Sequence, residues 1–279
     1  LNLQRAIDLP WPACAAPARP VPKQANWQFE ASWARSEAEV REAQRLRHAI
    51  FVDEMGARLA PPPGTPAGID ADHFDRYCDH LLVRVREQGS GDRGQLVGTY
   101  RVLGPDAARR AGGCYTEGEF DLAPLASLRG GAVELGRACV HADWRSGGVI
   151  LALWSELGNY MVERGLHTMF GCASIGMADG GQLARRIWRQ LRDSPYLVRP
   201  EYRIRPLTPL PAGAGDKGAA AAAGMLREMP PLIKGYLRCG ARVLGAPSFD
   251  RGFNTADLPI MMRLADLPER YSKQFLARR

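Results

Sequence analysis

Apolar positions along the chain repeat at two periods, and the changes from one to the other divide it into elements. Trp27, Phe29 and Trp33 fall at strand spacing and predict a first strand over 27–34. Ser36, with Glu39 three residues on, is a capping box; the helix it opens carries Val40, Ala43, Arg47, Ile50 and Phe51 and ends near Met55 and Gly56. Two β-rich runs, 80–86 and 95–103, flank a polar, glycine-bearing stretch and predict a hairpin. Residues 104–131 read as loop. The run 132–140, AVELGRACV, reads as a buried strand, and Ser146-Gly147-Gly148 as a glycine turn. Val149, Ile150, Leu153, Trp154, Leu157 and Met161 then recur at helical spacing. Further on, the pattern predicts a strand at 168–173, a helix at 180–192 and an extended strand at 196–205. Pro230-Pro231 opens a short helix at 232–239, followed by late strands at 242–244 and 258–264 and a C-terminal helix at 266–276.

This order predicts an α/β fold, a mixed and mostly antiparallel central sheet with helices on both faces. It is not a doubly wound nucleotide fold, because the glycine turn comes mid-chain and lacks G-x-G-x-x-G spacing. Residues 1–26, rich in Pro and Ala, read as an extended or disordered arm. Residues 27–279 read as a single domain, interrupted by a Pro/Gly/Ala insertion at about 208–224.

Composition narrows the setting. A formal charge of +7 and a pI of about 9.3 favour an acidic partner. Six widely spaced cysteines without a Cys-x-x-Cys pair argue for a reducing compartment and against a zinc site or disulfide framework. No apolar run approaches the ~20 residues that span a bilayer, and there is no basic-then-apolar signal pattern, so the expected location is cytoplasmic, with contact to a membrane surface open.

The strand–turn–helix at 132–161 aims bare N–H groups and a positive helix end at one spot, which suits a phosphate; Arg145 would add a charge-assisted contact. An ordinary strand-to-helix corner is the plain alternative. Glu134 and Arg137 interrupt the apolar strand, and buried charges need a reason. Residues three apart on a regular strand face opposite sides, so a β-bulge near Gly136 is predicted to bring the two together and to free N–H groups.

Val133 to Val140 followed by Arg145-Ser146-Gly147-Gly148 resembles the acyl-donor motif of the GNAT acyltransferase superfamily, without that motif's final glycine or alanine. Arg45–Phe51–Val52, Asp72–Asp75, Arg101, Phe120 and Glu134-x-x-Arg137 resemble the signature positions of acyl-homoserine lactone synthases. Gly171-Cys172-Ala173-Ser174, the block from Pro230 to Leu237 and Phe253-Asn254-Thr255-Ala256-Asp257 resemble the L-ornithine N-alpha-acyltransferases, the hemolysin-like branch that makes ornithine lipid.

The resemblance implies a GNAT-like sheet and transfer of a 3-hydroxyacyl chain from acyl carrier protein to the α-amine of L-ornithine, giving lyso-ornithine lipid. The co-substrate is then a 4'-phosphopantetheine thioester, with no bound cofactor and no metal. Glu134 is the candidate general base, with simple pairing to Arg137 as the alternative. Arg137 and Arg101 are candidates for shaping the site and holding the amino acid's carboxylate. Asp72 and Asp75 would receive a second ammonium, unless they form a solvated loop, a helix cap or a weak divalent-metal site. Phe51 and Phe120 would line a pocket or core, and Val140, Arg145, Ser146, Gly147 and Gly148 would hold the donor. His80 and His141 stand as backup bases. No Gly-x-Ser-x-Gly elbow is present, which favours direct transfer over an acyl-enzyme.

Arg145, Arg185, Arg186 and Arg189 would attract an acidic carrier protein, and peripheral contact with an anionic inner membrane is a further expectation. The competing functions are a coenzyme A-dependent acetyltransferase, an acyl-homoserine lactone synthase, and a basic module for nucleic acid, which lacks the expected aromatic–basic interleaving.

Overall fold

The computed structural model describes residues 27–145, 147–211 and 229–275. The expected arm at 1–26, Ser146 and most of the expected insertion lie outside the described residues. In chain order the elements are β1 (Trp27–Trp33), α1 (Glu37–His48), β2 (Asp79–Glu87), β3 (Gln95–Leu103), α2 (Pro105–Ala111), β4 (Phe120–Asp121), β5 (Ala132–Val140) and α3 (Gly147–Glu163). They continue with β6 (Thr168–Gly176), α4 (Gln182–Leu191), β7 (Arg205–Pro206), α5 (Pro231–Arg238), β8 (Arg242–Val243), β9 (Ser248–Asp250), β10 (Thr255–Arg263) and α6 (Glu269–Phe275).

The main sheet runs β1-β2-β3-β5-β6-β10-β8, with β9 also beside β10. Among the described strands of this sheet, only β5 and β6 pair in parallel, and α3 is the crossover between them. The mixed, mostly antiparallel architecture is the one expected.

Alternation on β2 shows how the faces are assigned. Leu81, Val83 and Val85 point to the layer that α3 covers with Val149, Leu153, Leu157 and Met161. Leu82 points the other way, to Ala43, Leu46 and Ile50 on α1 and the segment after it. A second apolar cluster joins α4 and α5 to β6 and β10. Gly98 and Gly148 allow α3 to start tight against the sheet: a Cβ on Gly98 would stand 2.5 Å from Val149, and one on Gly148 2.6 Å from the Phe29 ring.

Two expectations fail locally. Residues 104–131 contain α2, opened by Gly104 and Pro105 and closed by Gly112 at φ 83°, the proline-first, glycine-last asymmetry of a short helix. Residues 196–204 do not form a strand, and Arg205 only begins the two-residue β7; Leu197 makes a single bridge to Val243, and Pro200 opens a helical turn over Pro200–Tyr202. Among the described residues no helix is long and apolar enough to cross a membrane.

Candidate active site

The site lies where β5 parts from its neighbours. β5 and β6 pair from Ala132–Thr168 to Leu135–Gly171 and no further. Gly171 stands at the fork, where a Cβ would come 2.2 Å from the carbonyl oxygen of Leu135, so only glycine lets the strands meet there. On the other edge, Thr99 faces Cys139 while Arg101 faces Gly136, leaving Arg137 and Ala138 opposite Tyr100 alone. This is the predicted bulge. It is Arg137 itself, at φ 51°, and not Gly136 that adopts the left-handed conformation.

A left-handed arginine is strained by about 1–3 kcal/mol, and its side chain is over-determined. Nη2 of Arg137 lies 3.1 Å from Asp72 and Nε lies 3.4 Å from Asp70. The guanidinium also covers the rings of Tyr115 at 4.9 Å and Phe253 at 4.7 Å.

Between the parted strands is a cavity of about 150 Å³, whose walls include Phe51, Arg101, Glu134, Arg137, Ser174 and Asp257. Phe51 reaches it from Ala49–Glu54, where α1 continues in wider turns and the Met55 N–H donates to the Ile50 carbonyl five residues back.

Beneath the two cavity arginines is a buried charge network. Arg47 donates to Asp70 and to Asp75, each at 2.8 Å. Nη1 of Arg101 donates to Asp72 at 2.6 Å and to Asp75 at 3.3 Å. Burial pushes the Asp75 carboxyl upward, but Arg47 and Arg101 outweigh it and hold the group down at about 2. Asp72 and Asp75 therefore face arginines and are absent from the cavity wall. The buried helix arginine is Arg47, 1% exposed, whereas Arg45, the matched signature position, is exposed.

Glu134 does not pair with Arg137. Its Oε1 accepts from the Thr116 N–H at 2.6 Å and the Thr116 hydroxyl at 2.5 Å, and Oε2 accepts from the Tyr115 N–H at 2.8 Å. Burial still raises its pKa above the usual carboxylate range, with the Thr116 and Tyr115 hydrogen bonds opposing. Oε2 keeps an acceptor position beyond the one Tyr115 fills.

Across the cavity Asp257 is 5% exposed, and its Oδ1 accepts from the Thr255 hydroxyl at 2.8 Å. Burial lifts it to about 6. Glu119 lies beside it with a buried, unpartnered Oε1; burial, then the charges of Asp257 and Asp250, push it up to about 9. With the Cys172 sulfur, these carboxylates place three donor atoms within 4.8 Å of one another. Burial pushes the Cys172 thiol well above its ordinary value, so it is neither a ready thiolate ligand nor a nucleophile at neutral pH.

The remaining expected residues sit elsewhere. Phe120 is 1% exposed in a core with Leu122, Leu125 and Phe170, off the cavity. Arg145 forms a two-pronged pair with Glu54, both contacts at 2.6 Å, and its Nε donates to the Val140 carbonyl at 3.2 Å. Val140 is a core residue, Gly147 begins α3, and Gly148 serves the contact with Phe29. His80 is buried, its ring nitrogen 2.9 Å from the Asp75 carbonyl, and burial lowers its pKa. His141 caps a helical turn by accepting from the Asp143 N–H. Neither histidine lines the cavity. Tyr115 and Thr116, in the stretch read as loop, carried no signal of their own; Asp257 lay within a block singled out only by resemblance.

The chain is similar to known proteins in sequence and in fold. A family model described as an acetyltransferase (GNAT) domain matches residues 46–155. The L-ornithine N(alpha)-acyltransferase of Rhizobium meliloti (strain 1021) is 38% identical over 93% of this chain and 88% of its own length. That of Rhodobacter capsulatus is 35% identical over 90% of this chain and 95% of its own. The solved structure of FeeM, an N-acyl amino acid synthase from uncultured soil microbes, shares the fold with a TM-score of 0.51 at 11% identity, covering 88% of this chain and 97% of FeeM. With its GNAT domain match over residues 46–155, the chain belongs to the L-ornithine N(alpha)-acyltransferase family.

Proposed function

We propose that this protein moves a 3-hydroxyacyl chain from acyl carrier protein to the α-amine of L-ornithine, giving lyso-ornithine lipid. The observation that carries the reading is the fork: β5 and β6 part at Gly171 and open onto a cavity walled by two arginines and two buried carboxylates. A pantetheine arm lies between the parted strands, where backbone groups of β5 beyond Leu135 have no ladder partner on β6. The thioester carbon then sits beside the bulge at Arg137.

Arg101 has Nη1 engaged with Asp72 and Asp75, and its Nη2 and Nε are available to the amino acid's carboxylate. Arg137 shapes that wall. Glu134 takes the proton of the attacking amine through the free acceptor position of Oε2; its raised pKa makes it a better base than an ordinary carboxylate. The amine nitrogen bonds to the thioester carbon, the C–S bond breaks, and the pantetheine sulfur leaves as a thiol, taking the proton that Glu134 collected. Asp257 receives the δ-ammonium in place of Asp72 and Asp75, because it lines the cavity and its Oδ1 is bonded to a hydroxyl rather than to an arginine. A cation there would also lower the cost of ionising Asp257 and Glu119 side by side.

The +7 charge suits an acidic carrier protein and an anionic inner-membrane surface, and so supports peripheral membrane contact by a cytoplasmic protein. The test mixes the protein with 3-hydroxyacyl carrier protein or 3-hydroxyacyl coenzyme A and a panel of amino acids, then identifies N-acyl products by mass. N-acylornithine formed from the carrier-bound donor supports the reading. Transfer to another amine alone, or from coenzyme A alone, overturns its acceptor or its donor.

A further inference from the structure

Two smaller cavities, of about 40 and 30 Å³, continue from the main one on the face of the sheet that α3 and α6 cover. All three share Tyr100, Leu135 and Tyr236 as walls. Deeper in, the walls are apolar and include Met169, Met262, Trp154 and Phe275. In that lining the Tyr100 and Tyr236 hydroxyls stand out. They lie 2.9 Å apart, and Tyr236 stacks on Trp154 at 5.5 Å.

Two phenols carry two hydroxyl protons, and a bond between them uses one. Whichever ring donates, the other keeps a proton for which no described residue supplies an acceptor. An apolar passage thus contains one hydrogen-bond donor seeking an oxygen. Its position is informative. Tyr100 is the residue opposite the bulge, so its ring leaves the sheet beside the backbone offered to the thioester. An acyl chain whose carbonyl lies at the bulge and whose tail enters the apolar cavities carries its third carbon past this point.

We propose that the Tyr100–Tyr236 hydroxyl pair binds an oxygen on the third carbon of the acyl chain and so selects 3-hydroxyacyl donors over unsubstituted ones. This rests on the acyl-transfer reading above. Chains without the oxygen leave the donor unmet in a dry site, so the discrimination is about tenfold or more.

The experiment measures kcat/KM with 3-hydroxytetradecanoyl and tetradecanoyl carrier protein, both with ornithine, for wild type, Tyr236→Phe and the double variant Tyr100→Phe/Tyr236→Phe. Phenylalanine keeps the ring and its stacking on Trp154. The hydroxylated donor is expected to lose about tenfold in the double variant, the unsubstituted one less, and the ratio to fall toward one, with the single variant between. Binding of free 3-hydroxytetradecanoate against tetradecanoate, by calorimetry, should lose its preference in parallel. An unchanged ratio, or an equal loss for both donors, overturns the proposal. A wild type that binds the hydroxylated acid preferentially but makes no N-acylornithine with either donor overturns the acyl-transfer reading while retaining the binding site.

Discussion

Replacing Asp75 with asparagine removes one negative charge from a network of three arginines and three aspartates and changes little else in volume. Asp75 is 8% exposed, and its partners Arg47 and Arg101 are 1% and 4% exposed. Its carboxyl is held at about 2 in the folded protein, against about 3.9 in an unfolded chain. That lowering corresponds to about 2–3 kcal/mol of stability at pH 7. Breaking a buried ion pair typically costs about 3–5 kcal/mol. Here Arg47 keeps Asp70 and Arg101 keeps Asp72, so neither guanidinium is stranded and the smaller figure applies. Asp75→Asn should therefore lose about 2–3 kcal/mol in urea denaturation at pH 7. A depressed carboxyl stabilises above its unfolded pKa and loses that contribution as pH falls through its folded one. The gap between wild type and variant should close between about pH 4 and pH 2. A gap below about 1 kcal/mol at pH 7 would place the network outside the protein's energetics, and a gap that persists at pH 2 would refute the charge argument.

Glu119→Gln should make the protein more stable at pH 8 than wild type. A carboxyl raised from 4.5 to about 9 by burial favours the folded state fully below pH 4.5 and loses that contribution as pH rises to 9, so the thermal midpoint of the variant should vary less over that window. Glu134→Gln cannot accept from Tyr115 and Thr116 at both ends of its amide, and it removes the proposed base. The expected loss in kcat is about 100-fold or more, with a lower melting temperature; a wild-type kcat would exclude Glu134 as the base. Gly171→Ala would drive a methyl into the Leu135 carbonyl at the fork. It should destabilise by more than 1 kcal/mol, about the cost expected of a strained core insertion, and a neutral melting curve would argue against the tight fork.

Much of the sheet could be read from periodicity. The pattern over 132–140 coincides with β5, because a strand buried on both faces has a continuous apolar run with defined ends. The bulge was legible from the conflict between Glu134 and Arg137, two charges three apart on a strand that needed both on one side. Which residue bears the left-handed turn was not, since that depends on Asp70, Asp72, Tyr115 and Phe253 gripping the Arg137 side chain. Asp72 and Asp75 could be singled out in the sequence, but their arginine partners come from α1, β3 and β5, and no local spacing encodes such pairing. Arg47 over Arg45 could have been chosen from helix period, because 43, 46, 47 and 50 share the buried face. Asp257 comes opposite Ser174 only because β10 pairs with β6, a topological fact that residue spacing does not carry.

The central claim is that a carrier-borne thioester meets the α-amine of ornithine at the fork while Asp257 holds the δ-amine. The position of the acyl group on the ornithine product tests it most directly, by fragmentation in the mass spectrometer. The account predicts acylation at the α-nitrogen with a free δ-amine. It also predicts that Asp257→Asn lowers kcat/KM for ornithine more than for an acceptor of similar length without the terminal amine. An Nδ-acyl product, or an equal loss for both acceptors, would contradict it.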